Sequence, residues 1–187
     1  MIKRFLIAIL ALQMVSPLAF AMEVGNVHLP DSLKVGENSL ILNGAGFRKK
    51  LFIKVYAGGL YLQEKQSDPG VIIEADEPMA IRMHFVYHKV SGKKLIKAWN
   101  EGFEKATEGN VASLKSRIET FNSFFKEDAK KNDIYDLIYI PGHGVDVYIK
   151  RALAGTVQGL DFKKALFAIW LGDKPADSRL KKKMLGK

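Results

Sequence analysis

The chain has 187 residues, 48% of them hydrophobic and 26% charged, a balance typical of a single globular domain. It contains no cysteine, which excludes disulfide scaffolds, thiolate nucleophiles and cysteine-ligated zinc sites. Its 29 Lys and Arg residues exceed its 20 Asp and Glu residues, but the clusters among them are pairs and one triplet spread along the chain. No aromatic strand is interleaved with them, so we expect a mildly cationic surface and no nucleic-acid partner.

The first 21 residues have the pattern of a secretory signal peptide. Lys3 and Arg4 precede an apolar run over Phe5–Val15, and Ala19–Ala21 fits the A-x-A cleavage pattern. The run is shorter than the about 20 residues that span a bilayer, although an N-terminal membrane anchor is the alternative. We therefore expect cleavage after Ala21 and a periplasmic or secreted protein. The mature chain, Met22–Lys187, is expected to be one domain without a transmembrane segment.

Patterns in the first half of the mature chain predict strands. Ser39–Leu42 is short and apolar, and Asn43–Gly46 predicts a turn after it. Leu51–Leu62 alternates as a strand does, and its interruption at Gly58–Gly59 is typical of a bulge or of a close backbone approach. Ile81–His88 is a second alternating strand.

Helical periodicity begins after Ser91, a residue type that commonly caps helices. Apolar residues recur at helical spacing up to Phe103 and again from Val111 to Phe125, which predicts a helical hairpin. Strands and helices are then predicted over Asp136–Ile140, Val145–Lys150, Ala152–Val157, Leu160–Trp170 and Ser178–Leu185. This order predicts an α+β fold in which helices cover one face of an antiparallel sheet.

Neither the histidines nor the glycines predict a bound metal or cofactor. His84 and His88 lie on a predicted strand, where residues four apart are separated by about 13 Å, too far to share one ion. Gly44–Gly46 lacks the third glycine of a dinucleotide loop. A strand follows it, so no helix N-terminus is available to hold a pyrophosphate. We expect no metal and no cofactor.

One pair of polar residues predicts a ligand site. Arg48 follows the glycine segment, and Tyr56 is eight residues further on, so we expect both side chains on one face of the sheet. A guanidinium and a phenol beside an apolar pocket would bind a carboxylate or a phenolate oxygen. The alternative is a surface arginine and a half-buried tyrosine without a ligand. The helical hairpin carries the aromatic residues Trp99, Phe103, Phe121, Phe124 and Phe125. Most of them are expected in the core, but some would line a pocket between helices and sheet.

Two segments of the chain resemble the chalcone isomerase family. They are Asn43–Leu62, NGAGFRKKLFIKVYAGGLYL, and Phe162–Leu180, FKKALFAIWLGDKPADSRL. The order of elements is similar over nearly the whole mature chain, and the match is closest to the bacterial branch of short, exported chalcone isomerase-like proteins. The resemblance implies an open-faced β-sandwich, with a large antiparallel sheet and a layer of helices on one face.

The resemblance also implies candidate site residues. In the family's enzymes an arginine after the glycine segment holds the substrate, and Arg48 matches it. Tyr56 replaces a threonine of the following strand, and Ser178 matches a residue that sets substrate preference. Tyr87 is the phenol nearest to the catalytic tyrosine, and the catalytic asparagine falls near Lys97. The candidates for catalysis are therefore Arg48, Tyr56, Tyr87 and Ser178, and those for ligand binding are Arg48, Tyr56 and Ser178.

Three functions stay open. Arg48 and Tyr56 resemble the pair with which the family's fatty-acid-binding branch holds a carboxylate, which favours a non-catalytic binder of a fatty acid or similar small apolar acid. The second hypothesis is an intramolecular lyase acting on a chalcone-like, polyphenolic enone, although the loss of the threonine removes part of the polarising network. The third is a structural or interaction protein without a ligand. The oligomeric state does not follow from the sequence.

Overall fold

The predicted antiparallel sheet is the centre of the fold. The computed structural model describes residues 21–187, so the predicted signal peptide lies outside the described residues except for Ala21. In chain order the elements are β1 (Ala21–Val24), β2 (Val27–Pro30), β3 (Ser32–Val35), β4 (Asn38–Lys50), β5 (Ile53–Leu62), α1 (Pro69–Glu74), β6 (Met79–Phe85), β7 (Lys89–Val90), α2 (Gly92–Ala106), a 3-10 turn (Ala112–Leu114), α3 (Lys115–Ser123), β8 (Ala129–Lys130), β9 (Ile134–Ile140), β10 (Gly144–Ile149), β11 (Ala152–Val157), α4 (Leu160–Leu171) and α5 (Ser178–Met184).

Seven strands form the large sheet, in the order β11-β10-β9-β6-β5-β4-β3, and every neighbouring pair is antiparallel. The strands β1 and β2 form a separate hairpin, and β7 and β8 form a short ribbon. The α+β prediction with one large antiparallel sheet is therefore confirmed. The predicted segments did not include β1–β3, α1, β7 or β8.

Side chains of alternating residues form two separate buried apolar clusters, one on each face of the sheet. Along β5, Tyr56 and Leu60 belong to the cluster under the helices, whereas Ala57 and Tyr61 belong to the opposite cluster. The first cluster is larger and receives the buried residues of α2, α3, α4 and α5. The second is closed by the β1–β2 hairpin through Leu29 and its neighbours. One face of the sheet is thus covered by helices, and the other is covered only in part.

The predicted turn at Asn43–Gly46 is wrong, because β4 continues through it. The register shifts between Leu42 and Gly44, so Asn43 lies in a bulge, where its side-chain amide donates to the carbonyl of Met184 at 2.8 Å. A Cβ at Gly44 would lie 2.1 Å from the carbonyl oxygen of Lys183. The glycines are therefore required because α5 lies directly on this strand, not because the chain turns.

The true turn of this strand pair is at Leu51 and Phe52, between the paired residues Lys50 and Ile53. At Gly58 the ladder shows no register shift, and a Cβ there would lie 3.1 Å from Cε of Met184. Of the two alternatives expected for this glycine pair, the close approach is the correct one.

The predicted helices are present with small shifts of their ends. The hydroxyl of Ser91 accepts from the N–H of Lys94, as a cap does, and α2 buries Leu95, Trp99 and Phe103. The second helix of the predicted hairpin begins with the 3-10 turn, and α3 ends at Ser123, so Phe124 and Phe125 lie beyond it. No helix within residues 21–187 has the length and apolar character needed to cross a bilayer.

A buried lysine joins two of the helices. Lys163 of α4 is fully buried, and its ammonium donates to the carbonyls of Ile72, Ile73 and Ala75 at 2.9, 2.8 and 2.6 Å. These carbonyls lie at the C-terminal end of α1, where helical carbonyls lack partners within their own helix. Burial lowers the pKa of Lys163 to about 8. Lys163 therefore caps α1 from a neighbouring helix.

Candidate ligand-binding site

Arg48 and Tyr56 lie side by side near one end of the sheet. Arg48 is close to the end of β4, Tyr56 is on β5, and the two are paired residues of the antiparallel ladder. Directly paired residues carry their side chains on the same face, so the pair shares a face as predicted. The reason differs from the expected one, because the two residues belong to neighbouring strands and not to a single strand.

The hydroxyl of Tyr56 is held from the helix side. It accepts a hydrogen bond of 2.9 Å from the indole N–H of Trp170 on α4. Burial raises the pKa of Tyr56 to about 12, although the Arg48 guanidinium and the Trp170 N–H act in the opposite direction. The phenol is therefore neutral at physiological pH. Among residues 21–187 no acceptor for its own proton is found, so the phenol keeps one unused hydrogen-bond donor.

Among residues 21–187, Asp177 is the one carboxylate that forms an ion pair with Arg48. Its side chain is 23% exposed, and its Nη1 lies 3.8 Å from Oδ2 of Asp177. The same nitrogen donates to the backbone carbonyl of Lys49. A guanidinium has five N–H donors in a planar fork. The described contacts of Arg48 use Nη1, which leaves its other donors for a carboxylate that approaches from the exposed side.

Asp177 connects this corner of the sheet with α5. Its carboxylate caps α5 by accepting from the N–H groups of Arg179 and Leu180, and it also accepts from the N–H of Lys49 at 2.9 Å. Burial alone would raise the pKa of Asp177. The three backbone N–H groups and the Arg48 guanidinium outweigh this effect and hold the pKa below its usual range. Asp177 is thus an anion that balances part of the charge of Arg48.

The other two candidates lie further from the pair. Ser178 is the first residue of α5, beside Asp177, and it is exposed. Tyr87 follows the end of β6, because this strand stops at Phe85 and not at His88. The ring of Tyr87 packs against that of His88 with centroids 4.2 Å apart. The described contacts of Tyr87 therefore do not include Arg48 or Tyr56.

The aromatic residues of the helical hairpin pack against each other and against the site. Trp99 lies 5.2 Å from Phe121 and 5.7 Å from Trp170, measured between ring centroids, and Tyr56 lies 5.7 Å from Phe85. The indole N–H of Trp99 is buried and has no hydrogen-bond acceptor within the described residues. A buried donor without an acceptor costs about 1–3 kcal/mol. The interior beside Tyr56 therefore holds a polar group that the protein itself leaves unpaired.

Two cavities are described, and neither is lined by Arg48 or Tyr56. One, of about 530 Å³, lies on the outer face of the sheet and is lined by residues such as Arg82, Asp136 and Ile138. The other, of about 460 Å³, lies between α1, α2 and α4. Neither of these two cavities lies between the helix layer and the sheet, where the ligand pocket was expected. Within residues 21–187 no group of His, Asp or Glu side chains is arranged to hold a metal ion.

Trp170 and Asp177 were not among the predicted site residues, although both lie in the segment Phe162–Leu180 that carries the family resemblance. Asp177 has a recognisable signal, because aspartate is a preferred helix cap and a helix is predicted directly after it. Trp170 has none, since a tryptophan in an apolar helix is ordinarily core. Its role depends on a partner 114 residues away.

Comparison with known protein families shows the family of this chain. A family model described as chalcone isomerase-like matches residues 21–186. The chain belongs to the chalcone isomerase-like family. The open-faced arrangement of a large antiparallel sheet and a helix layer is therefore the fold of this family, as the resemblance of Asn43–Leu62 and Phe162–Leu180 implied.

A sequence relative and a solved structure, both from Arabidopsis thaliana, are similar to this member of the family. Fatty-acid-binding protein 1 is 24% identical over an alignment of 180 residues, and the match covers 81% of this chain and 64% of that protein. The chain thus spans less than two thirds of that relative's length. A crystal structure of an Arabidopsis thaliana fatty-acid binding protein matches with a TM-score of 0.69 and 23% identity, over 87% of this chain and 95% of that chain. The structural likeness shows a shared fold.

Proposed function

We propose that this protein is a non-catalytic binder of a fatty acid or a similar small apolar carboxylate. The observation that carries the proposal is the pairing of Arg48 with a neutral, buried phenol whose proton has no acceptor in the described chain. A guanidinium with free donors and a phenol donor together suit a carboxylate. The similarity to a fatty-acid-binding protein of the same family supports this choice of ligand.

The tail of the ligand requires rearrangement of the packed interior. We place it among Trp170, Trp99 and Phe125. Trp170 contacts Tyr56, Trp99 packs on Trp170 and Phe125 packs on Trp99. The indole N–H of Trp99 is also unpaired within the described residues. Aromatic side chains supply a large apolar area to a ligand. Binding should then change the environment of both tryptophans, so a titration followed by intrinsic fluorescence reports on entry of the tail.

Catalytic ring closure has weaker support. Tyr56 occupies the place of the threonine that the resemblance assigns to the enzymes, and the high pKa of Tyr56 keeps it protonated. Tyr87, the other candidate phenol, packs on His88. We expect no acceleration of chalcone cyclisation above the spontaneous rate, as followed by loss of chalcone absorbance. A saturable acceleration that Arg48→Ala abolishes would contradict the binding proposal.

The decisive experiment is titration of a fluorescent fatty acid into variants at Arg48. A charge-assisted hydrogen bond to a buried carboxylate contributes about 1.5–3 kcal/mol. Arg48→Ala should therefore weaken binding by about tenfold to a hundredfold. Arg48→Lys should restore part of the affinity, since an ammonium cannot make the bidentate contact. Arg151→Ala removes the same charge at the exposed β10–β11 turn and serves as the control. Equal affinities of all four proteins would overturn the proposal.

We further propose that the protein is exported and that Met1–Ala21 is removed. The support is the basic start, the apolar run and the Ala19–Ala21 motif. N-terminal sequencing of protein recovered from the exported fraction should begin at Met22. Recovery of chains that retain Met1–Ala21 would replace this proposal with a membrane-anchored protein.

A further inference from the structure

The tip of the β4–β5 hairpin exposes three consecutive apolar side chains. Leu51 is 87% exposed, Phe52 is 97% exposed and Ile53 is 47% exposed. The other large apolar side chains that are exposed within residues 21–187 are not grouped in this way: Met22, Val71 and Leu153. Single exposed apolar residues are ordinary on protein surfaces, whereas a contiguous group marks a site of interaction.

The backbone conformation at the tip is unfavourable for the leucine that occupies it. Leu51 and Phe52 are the two residues between the paired Lys50 and Ile53. Leu51 has a φ of 56°, in the left-handed region that glycine, asparagine and aspartate adopt at lower cost. The chain therefore carries a bulky apolar residue where a small or polar one would be more stable. Such a departure from local preference is a reason to look for a function.

The strands next to the tip are strongly basic. The hairpin segment Asn38–Leu62 contains no acidic residue and carries four basic ones: Arg48, Lys49, Lys50 and Lys54. The acidic group packed against it, Asp177, already accepts from backbone N–H groups of Lys49 and of α5. Lys50 and Lys54 are exposed on either side of the apolar tip. The exposed apolar tip is thus flanked on both strands by basic side chains.

We propose that this hairpin tip docks the protein on a lipid bilayer with anionic headgroups. Leu51, Phe52 and Ile53 would enter the boundary between headgroups and acyl chains, and Lys50 and Lys54 would contact the lipid phosphates. Apolar insertion and electrostatic attraction to anionic lipids are the two contributions that hold proteins at a membrane surface. The proposal rests on the tip alone and does not require that the protein bind a fatty acid.

A second copy of the chain suits this surface less well. A stable protein interface buries about 800 Å² on each partner. Three side chains at a hairpin tip offer a fraction of this area. Two copies joined at their tips would also bring two sets of four cations together, with no acidic residue in either hairpin segment to balance them. An anionic bilayer satisfies both the apolar and the charged parts of the surface.

The first test places a fluorescent reporter at the tip of the full chain. Phe52→Trp keeps an aromatic side chain there, and the native Trp99 and Trp170 are buried. With vesicles of phosphatidylcholine and phosphatidylglycerol, the introduced indole should shift to shorter wavelength and be quenched by brominated acyl chains. Leu153→Trp, at another exposed apolar position, should show neither change. An equal response of both variants, or none at the tip, overturns the proposal.

The second test separates the apolar and the electrostatic contributions by vesicle sedimentation. Leu51→Ser with Phe52→Ser should reduce binding at least tenfold, and the control Leu153→Ser should leave it unchanged. Lys50→Gln with Lys54→Gln should reduce binding by roughly tenfold or more, since each lysine near an anionic surface contributes a factor of about five. Lys93→Gln with Lys94→Gln removes the same charge from the exposed start of α2 and is the matched control.

The outcomes distinguish the proposal from its alternatives. Binding should decrease with added salt and be weak on phosphatidylcholine alone. Equal binding to neutral and anionic vesicles would overturn the electrostatic part. Vesicle binding that survives Leu51→Ser with Phe52→Ser, or a concentration-dependent dimer that this pair of changes abolishes, would overturn the proposal itself. Fatty-acid titration of the same variants, without vesicles, reports on the Arg48–Tyr56 site separately.

Discussion

Lys163 of α4 and Arg48 of β4 both lie on the helix-covered side of the sheet, but their surroundings differ. Lys163 is fully buried, and its ammonium donates to three backbone carbonyls of α1 and its end. Arg48 is partly exposed, and its charge is met by Asp177 at 3.8 Å and by one backbone carbonyl. An ammonium has three donors, so Lys163 is saturated, whereas Arg48 is not.

The difference indicates which of the two positive charges is available to a ligand. A buried cation with all donors used holds elements together, because any other arrangement would leave the carbonyls unpaired. Arg48 keeps N–H donors without an acceptor in residues 21–187, and it lies next to Tyr56, whose phenol proton also has no acceptor there. The contrast therefore assigns a structural role to Lys163 and supports a binding role for Arg48.

The largest expected effect follows from removing the saturated cation. Lys163→Met leaves three carbonyls without their donor, and each unpaired buried group costs about 1–3 kcal/mol. The free energy of unfolding should fall by about 3 kcal/mol or more, as measured by urea denaturation. Lys164→Met, at the adjacent and partly exposed residue that pairs with Glu74, should change it by less than about 1 kcal/mol. Equal effects of the two substitutions would contradict the comparison.

The pH dependence of stability should show the cost of burying this charge. The pKa of Lys163 is lowered to about 8 in the folded protein, below the value of about 10.4 expected for an unfolded chain. Between these two values the unfolded state binds more protons, so this residue makes stability rise with pH, by roughly 3 kcal/mol in total. The difference in unfolding free energy between wild type and Lys163→Met should therefore increase from pH 8 to pH 10. A constant difference would show that the pKa is not lowered.

Tyr56→Phe should reduce both ligand affinity and stability, each by less than the loss of stability expected for Lys163→Met. The change removes one neutral donor to the carboxylate, which weakens fatty-acid binding by about 1 kcal/mol. It also leaves the Trp170 N–H without its acceptor, so stability should fall by about 1–2 kcal/mol.

Tyr61→Phe is the matched control for this substitution. Tyr61 is buried on the same strand but on the other face of the sheet, and its hydroxyl donates to the carbonyl of Pro30 at 3.0 Å. Loss of this bond should lower stability without changing ligand affinity. A loss of affinity equal to that of Tyr56→Phe would mean that binding responds to general destabilisation.

The smallest expected effect is a gain of affinity. Asp177→Asn keeps an oxygen that caps α5 but removes the negative charge near Arg48. An ion pair of this kind contributes less than about 1 kcal/mol, so carboxylate binding should tighten by a few fold. Isothermal titration of both proteins with the same fatty acid measures this. Weaker binding by Asp177→Asn would indicate that Asp177 positions Arg48 instead of competing for it.

Most of the elements could be predicted from local patterns. The predicted strand Leu51–Leu62 is present from Ile53 onward, and the cap at Ser91 and the helical spacing after it matched the structure. Burial of one face imposes these periods on the sequence. The predicted turn at Asn43–Gly46 failed because glycine signals both turns and close approaches. The partner that distinguishes the two cases, α5, lies about 140 residues further along the chain.

The sequence by itself determined the fold class and the family, and it predicted that Arg48 and Tyr56 share a face of the sheet, since periodicity and short motifs are properties of neighbouring residues. Only the tertiary structure decided that the pair spans two strands, that Trp170 and Asp177 complete its surroundings, and that Lys163 is saturated by carbonyls. Each of these facts depends on contacts between groups that are distant in the chain. Hydrogen bonding and burial act through space, so which donors of Arg48 stay unused within residues 21–187 becomes visible only in the tertiary structure.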